Sequence, residues 1–137
     1  MTSKIFLVCG PSGAGKSWVC NQLRGKFDYI EHDTYPTDEY AYALSDASNQ
    51  EGKPILGDCP FRTSHLVNQL RELGHQVEAI YIVEPREVVA KRIIQRDGVA
   101  GLTPRRWKQY EHLQERAEAF GDFVGTAQEV LSHLQSK

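Results

Sequence analysis

The chain of 137 residues is long enough for one modest hydrophobic core, and a second catalytic domain does not fit beside it. With 40% hydrophobic and 25% charged residues, its composition excludes the disordered, collagenous and disulfide-rich classes of protein. No apolar run approaches the ~20 residues that a membrane span needs, and the amino terminus does not resemble a secretory signal. We therefore expect residues 1–137 to form one cytoplasmic domain, without a membrane anchor and without an obligate protein partner.

The hydrophobic pattern predicts strands and helices that alternate along the chain. The compact apolar run at 5–8, which stops at Gly10, is typical of a buried parallel strand. Strands are predicted at about 4–9, 29–32, 54–56, 77–83 and 123–124. Helices are predicted at about 16–25, 37–47, 66–73, 85–96 and 104–120, and a last helix is predicted after a capping box made by Thr126 and Glu129.

Alternating strands and helices favour an α/β fold in which helices cover both faces of a parallel sheet. We expect a three-layer α/β/α domain with four to five strands. Gly98, Gly101 and Pro104 interrupt the pattern between two helices, which predicts a short lid at about 97–106.

The strongest motif is GPSGAGKS at 10–17, which satisfies GxxxxGK(S/T) between a predicted strand and a predicted helix. Glycines in such a loop let backbone N–H groups point at phosphate oxygens, and the following helix N-terminus adds positive potential. Lys16 can reach the β- and γ-phosphates of ATP, and the Ser17 hydroxyl can bind Mg²⁺. The predicted phosphate-binding residues are Gly10, Ser12, Gly13, Ala14, Gly15, Lys16 and Ser17.

Three further segments follow the P-loop in an order that resembles the small P-loop kinases, such as nucleoside, gluconate, shikimate and polynucleotide kinases. These segments are His32-Asp33-Thr34-Tyr35, Gly57-Asp58-Cys59 and Lys91-Arg92 with Arg96. The pattern is most similar to the kinase half of polynucleotide kinases and to phage-type DNA-modifying kinases. The resemblance implies the P-loop kinase fold, an ATP and Mg²⁺ requirement, transfer to a hydroxyl, and a catalytic base at the position of Asp33.

The residue types at these positions suit phosphoryl transfer. Asp33 follows the second predicted strand, where a carboxylate can accept the proton of an attacking hydroxyl. Asp58 follows the third, where it can bind Mg²⁺ or the acceptor; a simple turn residue is the alternative for both. Arg92 and Arg96 share one helix face, and we expect them to stabilise charge on the transferred phosphoryl group.

The charge distribution narrows the acceptor. The segment 27–60 has eight acidic residues and one lysine, whereas 86–116 has eight basic and four acidic residues. Residues 27–52 contain no lysine or arginine to clamp an acceptor phosphate, although Arg62 could partly compensate. A hydroxyl acceptor is therefore favoured: first a nucleoside or a hydroxyl of DNA or RNA, then a sugar or other small metabolite, and last a nucleoside monophosphate.

A different class of function stays open, namely a nucleotide-binding switch that hydrolyses ATP slowly and has no acceptor. Other residue types do not point to a site of their own. The three cysteines lack metal or disulfide spacing, and the five histidines are interpreted as surface or capping residues. Trp18 and Trp107 are interpreted as packing residues. Tyr35, Tyr40 and Tyr42 either stack on an acceptor or pack a small helix.

Overall fold

Five apolar segments of the chain form one sheet in which every pair of neighbouring strands is parallel. The computed structural model describes residues 3–11, 13–36, 38–50, 52–59 and 63–137. The strand order is β2-β3-β1-β4-β5. The bounds are β1 Ile5–Cys9, β2 Asp28–Ile30, β3 Ile55–Cys59, β4 Val77–Ile82 and β5 Phe123–Gly125.

Helices cover both faces of this sheet, because the central strands β1, β3 and β4 bury apolar side chains on both of their sides. The bounds are α1 Lys16–Gln22, α2 Tyr40–Ser48, α3 Thr63–Glu72, α4 Arg86–Asp97, α5 Pro104–Phe120 and α6 Ala127–Gln135. Residues of α2, α3 and α5 pack on one face, and residues of α1 and α6 pack on the other. The predicted three-layer α/β fold with a parallel sheet is confirmed.

Several boundaries differ from the prediction for local reasons. The second strand ends at Ile30 rather than at His32, because His32–Thr34 forms a turn of 3-10 helix. Asp58 lies within β3 rather than after it. The acidic helix begins at Tyr40, and its predicted start at Thr37 lies outside the described residues. The capping box of Thr126 and Glu129 is present at the start of α6, as predicted.

Two side chains contradict their predicted environment. His75 is buried rather than exposed, because its ring nitrogens bond to the hydroxyls of Ser45, at 2.7 Å, and Ser48, at 3.2 Å. These contacts tie α2 to the loop before β4. Trp18 is 47% exposed and does not pack in the core. Trp107 does pack, edge-on against Tyr110 of the same helix.

The sheet topology brings the candidate residues to one edge. In a parallel sheet the carboxyl ends of all strands meet at the same edge, and ligands bind where the strand order reverses. Here β1 lies between β3 and β4, so the carboxyl ends of these two strands flank the P-loop. Within the described ranges, the helices are too short or too polar for any of them to cross a bilayer.

Candidate active site

The loop after β1 is closely packed against α4. Gly13 and Gly15 have φ angles of 82° and 98°, a left-handed conformation that favours glycine. A Cβ at Gly13 would lie 3.0 Å from the carbonyl oxygen of Val89 in α4. The loop therefore needs glycine both for its backbone path and for its approach to the helix. Ser12, which was also predicted to bind phosphate, lies outside the described residues.

Arg92 fixes the P-loop from the α4 side. Its Nη1 donates to the carbonyl oxygens of Ala14, at 2.8 Å, and Gly13, at 3.3 Å. These bonds hold carbonyl groups away from the place where the loop would present N–H groups to an anion. The sequence pattern indicated only that Arg92 shares a helix face with Arg96. The structure shows that Arg92 supports the P-loop, whereas its direct role in catalysis stays a prediction.

Lys16 is the first residue of α1, and it is folded towards the loop. Its Nζ donates to the carbonyl oxygen of Gly10 at 2.6 Å. Burial lowers the pKa of the Lys16 ammonium from its ordinary value of 10.5, and the nearby Asp58 carboxylate opposes part of that shift. An anion bound in the loop would give this desolvated ammonium a countercharge.

One cavity of about 380 Å³ gathers the predicted residues that the structure describes. We call the P-loop part of the lining one wall, and the turn after β2 together with the end of β3 the other wall; α4 contributes two arginines. The lining residues are Pro11, Gly13, Gly15, Lys16, Ser17, Trp18, His32, Asp33, Asp58, Arg92 and Arg96. Gly10 and Ala14 are buried in the loop behind this surface.

Asp58 is anchored at the cavity wall by a backbone group. Its Oδ1 accepts a hydrogen bond of 2.8 Å from the His32 N–H. The Asp58 carboxylate and the Ser17 hydroxyl line the same cavity, and both are hard oxygen donors of the kind that Mg²⁺ prefers. No cluster of three or more acidic, histidine or cysteine side chains with metal-site geometry occurs among the described residues. Such a sparse donor set fits Mg²⁺, which is commonly held by one or two protein groups with phosphate and water oxygens.

Asp33 and Arg96 reach the same cavity from exposed positions. The Asp33 side chain is fully exposed in the turn after β2, with Oδ1 3.6 Å from the His32 Nδ1. Arg96 donates from Nε to the Asp97 carboxylate at 3.2 Å, and Arg106 donates to the same oxygen at 2.8 Å. The hydrogen bonds from these two arginines lower the pKa of Asp97. Asp97 and Arg106, the first and last residues of the predicted lid, are thus joined by an ion pair.

A second cavity, of about 710 Å³, adjoins the first and shares Gly15, Trp18 and Arg92 with it. The other lining residues are Glu84, Val88, Thr126, Ala127 and Gln128. Glu84 is buried, and its Oε1 accepts a hydrogen bond of 2.7 Å from the N–H of Ala127 at the start of α6. Sequence reasoning missed Glu84 and His32. Glu84 lies two positions after β4, and His32 lies two positions after β2, both at the ligand-binding edge of the sheet. That position in the sequence is the signal that could have identified them.

Comparisons with known proteins give a consistent fold. No protein-family model matches the sequence, and no curated protein matches it either. The tunicamycin resistance protein of Deinococcus radiodurans superposes with a TM-score of 0.73 at 19% identity, covering 98% of this chain and 94% of that one. A gluconokinase from Sinorhizobium meliloti 1021 gives 0.67 at 17% identity, covering 96% and 89%.

A shikimate kinase from Acinetobacter baumannii, solved in complex with shikimate, gives a TM-score of 0.55 at 15% identity, covering 98% of this chain and 92% of that one. At such low identity these likenesses concern the fold, and the chain has the fold of the small P-loop kinases. None of these three structures is described as a polynucleotide kinase. The finer resemblance to that group stays a prediction from the sequence segments.

Proposed function

We propose that this protein is an ATP- and Mg²⁺-dependent kinase that transfers the γ-phosphate to a hydroxyl group. The observation that carries the proposal is the arrangement of the 380 Å³ cavity, where Lys16 and the P-loop face Asp33 and Asp58. A phosphate cradle on one wall and carboxylates on the other are the two halves that phosphoryl transfer requires. The proposal treats residues 1–137 as one domain that holds both halves.

Each wall has a distinct task in this mechanism. The P-loop N–H groups and Lys16 bind the β- and γ-phosphate oxygens, and Arg96 supplies further positive charge as the phosphoryl group moves. Ser17 and Asp58 would hold Mg²⁺, which neutralises charge on the phosphates when it is bound. Arg92 keeps the loop in shape through the carbonyl groups of Gly13 and Ala14.

Asp33 handles the proton of the acceptor. The acceptor oxygen forms a bond to the γ-phosphorus while the bond from that phosphorus to the β,γ-bridging oxygen breaks, and ADP leaves. The hydroxyl proton passes to the Asp33 carboxylate, which then releases it to water. The full exposure of the Asp33 side chain suits this role, because the carboxylate is open to an incoming acceptor.

The second cavity has room for the base of the donor nucleotide. It shares three residues with the phosphate cavity, and it is bounded by Trp18, Val88 and the start of α6. We therefore propose that a nucleotide whose phosphates lie in the P-loop places its base in this second cavity.

The acceptor is proposed to be a hydroxyl compound without a phosphate next to the reacting group. The wall that would meet it contains Asp33 and Asp58, and residues 28–50 contain no lysine or arginine. A nucleoside or a hydroxyl of DNA or RNA is favoured by the sequence resemblance. A small hydroxylated metabolite is the alternative, and it is supported by the sugar kinase, gluconokinase and shikimate kinase among proteins of similar fold.

The test is ADP release with ATP and Mg²⁺ across nucleosides, their monophosphates, sugars, shikimate, gluconate and 5′-hydroxyl oligonucleotides. We expect at least one hydroxyl compound to stimulate ADP release, and the Lys16→Ala variant to abolish the stimulation. Preferential stimulation by monophosphates would overturn the assigned acceptor class. ATP binding with slow hydrolysis, unaffected by every compound, would instead indicate a nucleotide-dependent switch.

A further inference from the structure

The pairing between β2 and β3 is interrupted next to Asp58. The two strands pair as Asp28↔Ile55, Tyr29↔Leu56 and Ile30↔Gly57. Continuing this parallel ladder would join the Asp58 N–H to the Ile30 carbonyl, and then the His32 N–H to the Asp58 carbonyl. The second of these bonds does not form, and β2 ends at this point.

The hydroxyl of Tyr40, the first residue of α2, bonds to both backbone groups of the first pair. It donates to the Ile30 carbonyl oxygen at 2.7 Å and accepts from the Asp58 N–H at 2.9 Å. The His32 N–H is redirected, and it donates to the Asp58 carboxylate instead of the Asp58 carbonyl. A side-chain hydroxyl thus bridges the two strands at the point where their pairing ends.

The surroundings of Tyr40 keep this hydroxyl in place. The residue is 1% exposed, and the His32 ring lies edge-on to its ring, with centroids 5.2 Å apart. A Cβ at Gly57 would lie 2.7 Å from the Tyr40 hydroxyl, so the hydroxyl can approach β3 only because residue 57 is glycine. Burial and then the nearby Asp58 carboxylate raise the pKa of Tyr40, so the hydroxyl keeps the proton that it donates.

We propose that Tyr40 is a positioning residue whose hydroxyl links the end of β2 to β3 and thereby orients both carboxylates of the active site. It acts on Asp58 through the His32 N–H, which donates to the Asp58 carboxylate. It acts on Asp33 through the chain itself, because Asp33 follows His32 in the same 3-10 turn. This inference rests on the proposed function for its effect on catalysis. The hydrogen bonds themselves can be tested without turnover.

The Tyr40→Phe variant removes the hydroxyl and keeps the ring. We expect kcat to fall about 10- to 100-fold, as is usual when a residue that orients a metal ligand is lost. The Mg²⁺ concentration for half-maximal rate should rise severalfold. The KM for ATP should stay near the wild-type value, because neither partner of the Tyr40 hydroxyl belongs to the P-loop.

Tyr110→Phe is the matched control, because Tyr110 is also buried and its hydroxyl donates to a backbone carbonyl, that of Glu84, at 2.7 Å. It should lower the melting temperature as Tyr40→Phe does while leaving kcat and the Mg²⁺ dependence unchanged. Gly57→Ala provides a second route, because its methyl group would lie 2.7 Å from the hydroxyl while the tyrosine remains. The methyl group would also crowd Leu7, at 2.8 Å, so a fall in melting temperature is expected as well. It should raise the Mg²⁺ requirement in the same way as Tyr40→Phe.

Amide NMR separates failure of this inference from failure of the proposed function. Tyr40→Phe should shift the Asp58 and His32 amide resonances and change their hydrogen exchange, and it should weaken the Mg²⁺-induced shift of Asp58. These changes in a protein that phosphorylates no acceptor would leave the role of Tyr40 in positioning standing and remove the kinase proposal. An active wild type, with Tyr40→Phe equal to it in kcat, Mg²⁺ dependence and both amides, would overturn the inference.

Discussion

The two walls of the active-site cavity are built in different ways. The phosphate side, comprising the P-loop and the arginines of α4, is held by backbone: glycines in left-handed conformations and carbonyl groups bonded to Arg92. The acceptor side, comprising the turn after β2 and Asp58 of β3, depends on a few side chains, and its proposed base Asp33 is fully exposed. Phosphate is the same in every reaction of this kind, so a rigid cradle suits it, whereas an open wall can accommodate a specific acceptor.

The difference predicts how each wall responds to substitution. On the phosphate side, a single change should affect nucleotide binding and stability together, because the same bonds serve both. On the acceptor side, removal of a reactive group should reduce transfer and leave stability unchanged. The predictions that follow test this contrast, beginning with the largest expected effect.

Lys16→Met should reduce phosphoryl transfer by about a thousandfold or more, because the cation that binds the transferred phosphate is lost. The folded pKa of Lys16 lies below its ordinary value, so the unfolded chain binds that proton more tightly. The variant should therefore melt at a higher temperature than wild type below the folded pKa, and the gain should disappear as pH approaches 10.5. Calorimetry across pH measures this, with exposed Lys91→Met as the control; a lower melting temperature at neutral pH would contradict the account.

Asp33→Asn should lower kcat by about 10²- to 10⁴-fold, the range expected when a general base is removed. The KM for ATP and the melting temperature should not change, because the side chain is exposed and contacts only the neighbouring His32 among described charged groups. Steady-state kinetics with the preferred acceptor and a thermal melt measure both. Asp46→Asn, an exposed substitution on α2, is the control. Wild-type turnover by Asp33→Asn would remove the proposed base.

The two arginines of α4 should separate binding from transfer. Arg92→Lys loses the bonds to Gly13 and Ala14, so we expect the KM for ATP to rise about 10-fold and the melting temperature to fall. Arg96→Lys should lower kcat about 10-fold with little effect on stability, because the side chain is half-exposed. Nucleotide titration, steady-state kinetics and thermal melts on both variants measure the changes in KM for ATP, kcat and melting temperature. An unchanged KM for ATP in Arg92→Lys would show that the loop holds its shape without this residue.

The smallest effect concerns stability alone. His75→Leu leaves the buried Ser45 hydroxyl without its ring partner, which should lower the free energy of unfolding by about 1–3 kcal/mol. Phosphoryl transfer should persist, because His75 contacts the carboxyl-terminal part of α2 and does not line the active-site cavity. Chemical denaturation measures the change, with exposed His65→Leu as the control. An unchanged free energy of unfolding would show that α2 does not depend on this contact.

The sheet, the P-loop and the positions of the two carboxylates could be predicted from the sequence, because each depends on a local pattern of residues. Alternating apolar segments predicted the parallel sheet, and the GxxxxGK(S/T) motif placed the P-loop between β1 and α1. Asp33 and Asp58 were placed at the correct edge of the sheet because each is near the end of a strand. The chemical roles of these residues stay predictions that the experiments above address.

The remaining features depend on contacts between distant parts of the chain. Nothing local marks Arg92 as a support for the P-loop, which lies almost eighty residues earlier. The Tyr40 hydroxyl bonds to backbone groups of two other elements, so its role became visible only with the register of β2 and β3. The burial of His75 likewise depends on two serines that lie about thirty residues away.

The most direct test of the central claim compares one acceptor with and without a phosphate at the reacting position. Wild-type protein is incubated with γ-³²P-labelled ATP, Mg²⁺ and either the most active hydroxyl compound from the panel or its monophosphate. The account predicts labelled product from the hydroxyl compound, little from the monophosphate, and loss of the label in Asp33→Asn. Labelled inorganic phosphate as the main product, at a rate independent of both acceptors and of Asp33, would contradict it.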